Sequence, residues 1–433
     1  MKSKTKTSRV FCLLLAFAML FAFCSCGAER QPGESDADGS ETSVNGNKAF
    51  VHDETVKLTE DFVSATDGRK PDGSFSAAYN RFAAELLTGT RKSGVNSLVS
   101  PLSALYMLAM TFTGAEGETL EQFLRAFDGN GDIDTDRIGA CLAGIASGLY
   151  RSRSAYTDIA NSIWVKNVPG VRLKDDFADK NRRYYQSDIY AAPFDESTLE
   201  AINGWVSANT DGMIKNILED LNEDSLMCLV NAVLFDAIWE TAFERTEKRD
   251  FTKANGEKET VEMMYSEEIT YIAGHNFKGF EKRYSGRGYS FIAVLPYGTL
   301  DAYMSTFDGS KIASILSARR TNAVSVAMPS FDYDFSADLT PVLKGMGVTD
   351  AFTPAADFSG IFEDNAVHIS QAVHKTRIEV SAEGTRAAAA SAGVLEACIE
   401  PEEKKSVVLN RPFLYMIIDT KTDTPLFIGT FEG

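Results

Sequence analysis

The sequence predicts an α+β protein in which helices come first and a mostly antiparallel sheet follows. Early segments have helical periodicity: the stretch FSAAYNRFAAELLTG places Phe82, Leu86 and Leu87 on one face and ends at a glycine, and SPLSALYMLAMTFTGA begins with Ser-Pro and ends near Gly114. Later segments are runs of branched and aromatic residues broken by turn residues, as strands are. The clearest of these runs are SLMCLVNAVLFDAIW, YSFIAVLPY, AVSVAMPSFDYDF and FLYMIIDTKTDTPLFIG.

The first 25 residues have the features of a bacterial export signal. Four basic residues precede the apolar run FCLLLAFAMLFAF, which is too short to span a bilayer and suits the apolar region of a signal peptide. Cys26, with small neighbours on both sides, fits the pattern of a lipidated cysteine, although Phe23 departs from it. We therefore predict a lipoprotein signal peptide over 1–25 and a lipid anchor at Cys26 on the extracellular face of a bacterial membrane, with plain secretion as the alternative.

The chain that remains after removal of the predicted signal peptide is strongly acidic and contains few cysteines. Removal of the four basic residues takes the formal net charge from −18 to −22, which excludes most nucleic-acid partners because phosphate binding needs a basic surface. With Cys26 lipidated, the cysteines that remain are Cys141, Cys228 and Cys398. An odd number spread so widely does not indicate a disulfide framework.

Composition divides the mature chain into two parts. Residues 26–72 are acidic, rich in glycine and serine and poor in apolar clusters, which predicts a flexible linker. Apolar periodicity then runs to the C-terminus without another linker, so residues 73–433 are predicted to form one domain. The hydrophobic content of 44% is sufficient for a large core.

Motifs of catalysis and metal binding are missing from the sequence. None of the four histidines has metal-ligand spacing, and there is no C-x-x-C pair, G-x-S-x-G elbow or phosphate loop. DGNGDIDTD, from Asp128, resembles the start of a calcium loop, but Ile133 and Gly139 stand where glycine and glutamate belong. We interpret it as an acidic solvated loop, with calcium binding as the alternative, and we expect no cofactor, no metal and no enzymatic activity. A Ser/His hydrolase, which would lose turnover without His374, is a third hypothesis.

Six segments in sequence order together resemble the signature segments of the serpin family over nearly all of residues 75–433. The resemblance implies a serpin fold of three mainly antiparallel β-sheets and eight to nine helices, with an exposed reactive-centre loop. It also implies a monomer whose partner is a target serine protease, with a cysteine protease as another option. The segments are NSLVSPLSALYMLAMTFTGAEGETLEQF, AINGWVSANTDGMIKNIL, LVNAVLFDAIW, DLTPVLKGMGVTDAFTPAADFSGI, VHISQAVHKTRIEVSAEGTRAAAAS and NRPFLYMIIDTKTDTPLFIG.

The stretch EGTRAAAASAG resembles the hinge of the reactive loop. Propensity alone favours a helix here, but as a strand its odd-numbered positions from Thr385 to Leu395 form one uncharged face, and the even-numbered positions from Arg386 to Glu396 carry both charges. Such a segment can be soluble while exposed and still enter a sheet with its small face inward. The resemblance implies insertion of this hinge after the loop is cut. The hinge comprises Glu383, Gly384, Thr385, Arg386, Ala387, Ala388, Ala389, Ala390 and Ser391.

The family's loop length places the reactive bond between Cys398 and Ile399, within about one residue. A small, uncharged residue before the bond suits the shallow pocket of an elastase-like serine protease and argues against a trypsin-like one. The alternatives for the Cys398 thiol are an exposed side chain without a function and a redox-sensitive switch.

The resemblance also assigns structural roles beneath and above the large sheet. Ser100, Ser103, Asn231 and His374 match a polar cluster that lies under the sheet where it opens, and Trp239 matches a residue at its upper end, where the loop enters. The family's usual glutamate and lysine pair is absent, because Ala382 and Ser330 stand at those two positions.

Two functions are therefore compared. The first is a suicide-type inhibitor that traps an elastase-like protease as an acyl-enzyme when its cleaved loop inserts into the central sheet. The second is a non-inhibitory serpin that serves as a binding or structural protein and whose loop is cleaved as a plain substrate. A hinge without proline or bulky inward residues favours the first.

Overall fold

The computed structural model of this chain describes residues 13–25, 55–58, 68–169, 171–212, 214–222, 225–363, 367–382 and 405–433. The order of elements confirms the α+β prediction, with helices concentrated in the first half and strands in the second. The described residues include nine α-helices and two short 3-10 helices at Ser285–Arg287 and Asp350–Phe352. The α-helices are α1 Gly73–Thr90, α2 Pro101–Phe112, α3 Gly117–Asp128, α4 Thr135–Gly148, α5 Asp175–Tyr185, α6 Glu196–Asn209, α7 Leu300–Met304, α8 Gly309–Ser317 and α9 Thr340–Gly345.

Both helices predicted from periodicity are present, and α2 is the more deeply placed. Every residue of α2 is buried, because it packs between the two strand networks. Its N-terminus is capped by Ser100, whose hydroxyl accepts a hydrogen bond from the Ser103 backbone N–H at 3.3 Å, and Pro101 occupies the first turn, where it costs no hydrogen bond.

The first strand network is the large sheet of seven strands. Their order is β12-β13-β1-β6-β4-β5-β2, and each neighbouring pair is antiparallel except β4 with β5. Near the centre, β6 is a largely apolar run in which every residue but one is buried, as a strand covered on both faces requires. The strands are β1 Leu13–Ser25, β2 Val56–Lys57, β4 Ala155–Lys166, β5 Ser187–Ala192, β6 Ser225–Ala237, β12 Phe331–Asp338 and β13 Val367–Val380.

The second network has nine strands, which form two sheets joined through the long strand β8. The start of β8 pairs with β7 and its last four residues pair with β9, so this strand belongs to both. The three sheets and nine α-helices found among the described residues agree with the predicted serpin fold. The strands are β3 Ser97–Val99, β7 Arg245–Thr252, β8 Lys258–Ala273, β9 Phe277–Arg283, β10 Tyr289–Pro296, β11 Arg319–Pro329, β14 Lys405–Val408, β15 Phe413–Asp419 and β16 Thr424–Phe431.

Part of the predicted linker belongs to the folded domain. Val56 and Lys57 pair with β5 at the edge of the large sheet, and the Lys57 ammonium lies 2.8 Å from Asp188. Asp72 caps α1, and its carboxylate receives a hydrogen bond from the Arg137 guanidinium at 2.7 Å. These residues are ordered by backbone pairing and capping, which a composition rich in polar residues does not reveal.

Candidate functional site

The centre of the large sheet holds a strand that comes from far away in the sequence. β1 lies between β6 and β13 and is antiparallel to both: Leu15 to Ser25 pair with β13, and Leu13 to Cys24 pair with β6. β1 is the apolar part of the predicted signal peptide. The sheet therefore has a strand position between β6 and β13, called here the slot, that accepts a thirteen-residue antiparallel strand.

A row of polar residues crosses the sheet at the middle of the slot. His374 of β13 and Asn231 of β6 both pair with Met19 of β1, on opposite sides, and Asn231 also pairs with Asn161 of β4. Two strand spacings, roughly 10 Å, thus separate the backbones of His374 and Asn231.

The N-terminus of α2 connects the two sides of the slot from below. The Ser100 backbone N–H donates to Nε2 of His374 at 3.4 Å, and the Ser103 hydroxyl donates to Oδ1 of Asn231. The four residues predicted to form a polar cluster are therefore brought together, and all four are buried. The cluster spans the strands that must separate for a new strand to enter; its role in opening the sheet remains a prediction.

Asn161 belongs to the same cluster, although sequence reasoning missed it. Its Oδ1 accepts from Nδ2 of Asn231 at 2.7 Å, and its own Nδ2 donates to the Tyr185 carbonyl at 2.6 Å. A polar residue in the middle of the strand segment AYTDIANSIWVK was the available signal. Asn161 fixes the amide orientation of Asn231, because its Oδ1 accepts from Nδ2 of Asn231 and so leaves Oδ1 of Asn231 facing the Ser103 hydroxyl.

His374 is a neutral residue in this environment. Burial lowers the pKa of His374 well below its usual value. Since Nε2 accepts the Ser100 hydrogen bond, the neutral ring carries its proton on Nδ1. Nε2 of His374 accepts from a backbone N–H, and the Ser103 hydroxyl donates to Asn231, so these two hydrogen bonds do not activate a serine for a Ser/His hydrolase.

Trp239 lies just beyond the end of β6, at the upper end of the slot. It is 4% exposed, stacks on Tyr284 with ring centroids 4.4 Å apart, and donates from Nε1 to the Ser381 carbonyl at 3.0 Å. The following residue of the chain, Ala382, is held in a similar way, because its carbonyl accepts from the Phe243 backbone N–H at 3.1 Å. Ser381 and Ala382 directly follow β13 and directly precede the predicted hinge, so the two residues before the hinge are held at the top of the slot.

Several predicted residues lie outside the described part of the chain. These are Cys26, the hinge from Glu383 to Ser391, and Cys398 with Ile399 at the predicted reactive bond. The two ends of this stretch are placed: Ala382 lies at the top of the large sheet, and Lys405 begins β14, which pairs in parallel with β11.

The Asp128 segment has the character of a loop stabilised by its own backbone. The Asp128 carboxylate accepts from the backbone N–H groups of Asn130 at 2.8 Å and of Ile133 at 2.7 Å, and it also accepts from Gly131. Ile133 is buried, and Gly129, at φ +90°, ends α3 in the left-handed conformation. Within the described residues no group of three or more His, Cys, Asp or Glu side chains could hold a metal ion.

Two further features bear on the predictions made from composition. Cys141 and Cys228 are both free thiols and both buried, and burial raises the pKa of the Cys228 thiol well above its usual value.

Over the placed part of the chain, no helix combines the length and hydropathy needed to cross a bilayer.

Comparisons with known proteins agree with this geometry. The family profile described as Serpin (serine protease inhibitor) matches residues 77–432. Human Serpin B8 is 31% identical over 362 residues, covering 80% of this chain and 95% of that protein, and the leukocyte elastase inhibitor of Xenopus tropicalis is 30% identical over 395 residues, covering 83% and 99%. Among solved structures, that of tengpin, a thermophilic serpin in its native state, has a TM-score of 0.78 at 34% identity and covers 88% of this chain and 100% of that chain.

Proposed function

Because this chain belongs to the serpin family, we propose that it is a suicide-type inhibitor that traps an elastase-like serine protease by inserting its cleaved loop into the large sheet. The family profile describes serine protease inhibitors, and the proposal adds that this chain is an inhibitory member, its mode of action and its target class. The observation that carries it is the slot between β6 and β13, which pairs with an incoming strand along both edges.

The slot lies next to the segment that would fill it. β13 ends at Val380, and the hinge begins three residues later. A chain that turns back at this point runs antiparallel to β13, which is the direction that β1 has in the slot. Residues 384–395 at ~3.3 Å each form a strand of roughly 40 Å, comparable with β1 and long enough to carry a bound protease far from the upper end of the sheet.

The chemistry follows the normal acyl-transfer cycle of the protease until its second half. The protease serine oxygen attacks the carbonyl carbon of Cys398, the bond to Ile399 breaks, and the amine of Ile399 leaves with the proton. An ester then joins the protease to Cys398. Insertion of the hinge moves and distorts the protease before water hydrolyses this ester, so the acyl-enzyme persists.

The residue before the scissile bond determines which protease attacks. Cys398 is small and uncharged, which suits an elastase-like pocket, and one relative of the chain is named leukocyte elastase inhibitor. A cysteine protease with a similar pocket is a second possible partner. We propose that the inhibitor acts as a monomer outside a bacterial cell, after removal of residues 1–25, either anchored through lipid on Cys26 or secreted.

The test uses the chain 26–433 and two matched variants of the hinge. Ala389→Glu places a charge on the predicted inward face, whereas Ala388→Glu places the same charge one residue earlier, on the outward face. With pancreatic elastase in slight excess, the parent chain and Ala388→Glu are expected to form a complex that survives denaturing electrophoresis. Ala389→Glu is expected to be cleaved and to release active elastase, because slow insertion lets hydrolysis occur first.

The alternative function predicts a different result from the same experiment. A non-inhibitory serpin would be cleaved in all three forms and would leave elastase fully active each time. Cys398→Arg adds a specificity control, since it should transfer complex formation from elastase to trypsin if Cys398 precedes the scissile bond. Mass spectrometry of the released C-terminal fragment identifies the bond directly.

A further inference from the structure

A buried ion pair lies directly behind the upper end of the slot. Lys282 of β9 is 1% exposed, and its ammonium is 2.5 Å from Oε1 of Glu268 on β8. The Ser266 hydroxyl donates to the same carboxylate oxygen at 2.7 Å and lies 3.4 Å from the ammonium. An ammonium in this position is tolerated only because it is paired, since an unpaired buried charge is strongly destabilising.

Two aromatic rings cover the other side of the ammonium. Nζ of Lys282 is 4.3 Å from the ring centroid of Phe243 and 5.6 Å from that of Trp239. The two rings meet edge to face, with centroids 5.9 Å apart. Both distances are within the range of cation–π attraction, which is strengthened when the cation is removed from water. Lys282 therefore fixes the position of Phe243 and Trp239 relative to each other.

Trp239 and Phe243 also hold the two residues that directly precede the hinge. Trp239 donates through its indole to Ser381, and Phe243 donates through its backbone to Ala382. The contacts form a continuous chain from Glu268 through Lys282 and the two rings to the last residues before the hinge.

The pair usual in the family is missing at this end of the sheet. Neither Ala382 nor Ser330 supplies a charge, because alanine and serine have uncharged side chains. Ala382 is half-buried, and the Ser330 backbone N–H donates to the Glu262 carbonyl. On the basis of the proposed function, we infer that Lys282 and Glu268 are positioning residues that replace this pair. They hold Trp239 and Phe243 against Ser381 and Ala382, which directly precede the hinge, and thereby slow the first step of insertion until the loop is cut.

The experiment measures spontaneous insertion in the chain 26–433 without protease. The intact protein is incubated a few degrees below its melting temperature, and the loss of elastase-trapping capacity is followed while size-exclusion chromatography selects the monomer. Lys282→Met is expected to accelerate this loss at least about tenfold, because it leaves Glu268 without its partner and the rings without their cation. Lys282→Arg, which keeps the charge, is expected to remain close to the parent rate. Lys278→Met is the control, because Lys278 lies on the same strand, is only half-buried and donates to the Ser406 carbonyl instead.

A second readout separates positioning of the hinge from general support of the fold. In the loop-cleaved form the inserted strand bridges β6 and β13, so Lys282→Met should lower the melting temperature of the intact form much more than that of the cleaved form. Equal losses in both forms, or a conversion rate equal to that of the parent, would overturn this inference alone. If Lys282→Met does not fold, Glu268→Gln tests the same pair with the same expected direction and a smaller effect.

Failure of the proposed function gives a different result. A parent chain that neither converts on heating nor gains stability on cleavage would show that no insertion takes place. That outcome would reject the inhibitor function and the positioning role of Lys282 together.

Discussion

A single cut in the reactive loop should make this protein markedly harder to unfold. The perturbation is limited cleavage of the chain 26–433 between the hinge and β14, which frees residues 384–395 to enter the slot. In the chain 26–433, which lacks β1, we expect β6 and β13 to pair directly with each other. Each inserted residue would then pair with β6 on one side and β13 on the other, and the direct pairing would be lost. The net gain is about one backbone hydrogen bond per inserted residue.

The expected size follows from this gain. Twelve inserted residues at ~1 kcal/mol per hydrogen bond stabilise the cleaved form by roughly 12 kcal/mol. A domain of about 360 residues unfolds with an entropy near 0.8 kcal/mol/K, taking ~2.1 cal/mol/K per residue, so the melting temperature should rise by roughly 15 °C. Burial of the inward face of the hinge adds to this shift.

Differential scanning calorimetry of the intact and the cleaved protein measures the shift directly. A chain with Ala389→Pro is the control, because it is cut in the same loop but proline cannot complete the ladder in a central strand. Equal melting temperatures for the intact and cleaved parent would refute the reasoning, whatever the effect on a protease. A rise of the same size in the proline variant would show that cleavage stabilises by another route.

Two further predictions concern the polar cluster under the slot. Asn231→Ala leaves the Ser103 hydroxyl and the Asn161 amide oxygen buried without their partner. The free energy of unfolding of the intact form, measured in urea, should therefore fall by about 2–5 kcal/mol. A fall below about 0.5 kcal/mol would contradict this hydrogen-bond network. The second prediction is a loss of stability as the pH falls below neutrality. Burial holds the pKa of His374 well below its usual value, so below pH ~6.5 the unfolded chain takes up a proton that the folded chain does not. The free energy of unfolding should therefore decrease by up to ~1.4 kcal/mol per pH unit. Thermal unfolding between pH 7 and pH 5.5 checks this, and His374→Gln should reduce the slope; an unchanged slope would assign the effect to other groups.

Local signals and family resemblance predicted much of the fold and part of the site. The periodicity of residues 75–89 and the Ser-Pro start at Ser100 predicted α1 and α2, because amphipathic spacing and capping are local properties. The cluster of Ser103, Asn231 and His374 could be named only through the resemblance, since α2, β6 and β13 are far apart in sequence.

Other parts of the site had no sequence signal. Lys282 stands in FEKR and Glu268 in SEEI, segments that look like ordinary exposed strands, and only the pairing of β8 with β9 and the packing of Trp239 turn them into a buried pair. Val56 and Lys57 are likewise indistinguishable in composition from the polar stretch around them. The run from Leu13 to Ser25 is apolar throughout, and this pattern suits a signal peptide and a central strand equally well.

The position of β1 has a consequence for the order of events in the cell. If residues 1–25 are the export signal that we propose, they can direct export only while they are accessible, yet in the structure residues 13–25 complete the middle of the sheet. A chain that folded before export would bury this signal, and the signal would fill the strand position that the proposed hinge insertion requires. The proposal therefore predicts that translocation precedes folding and that residues 1–25 are removed afterwards.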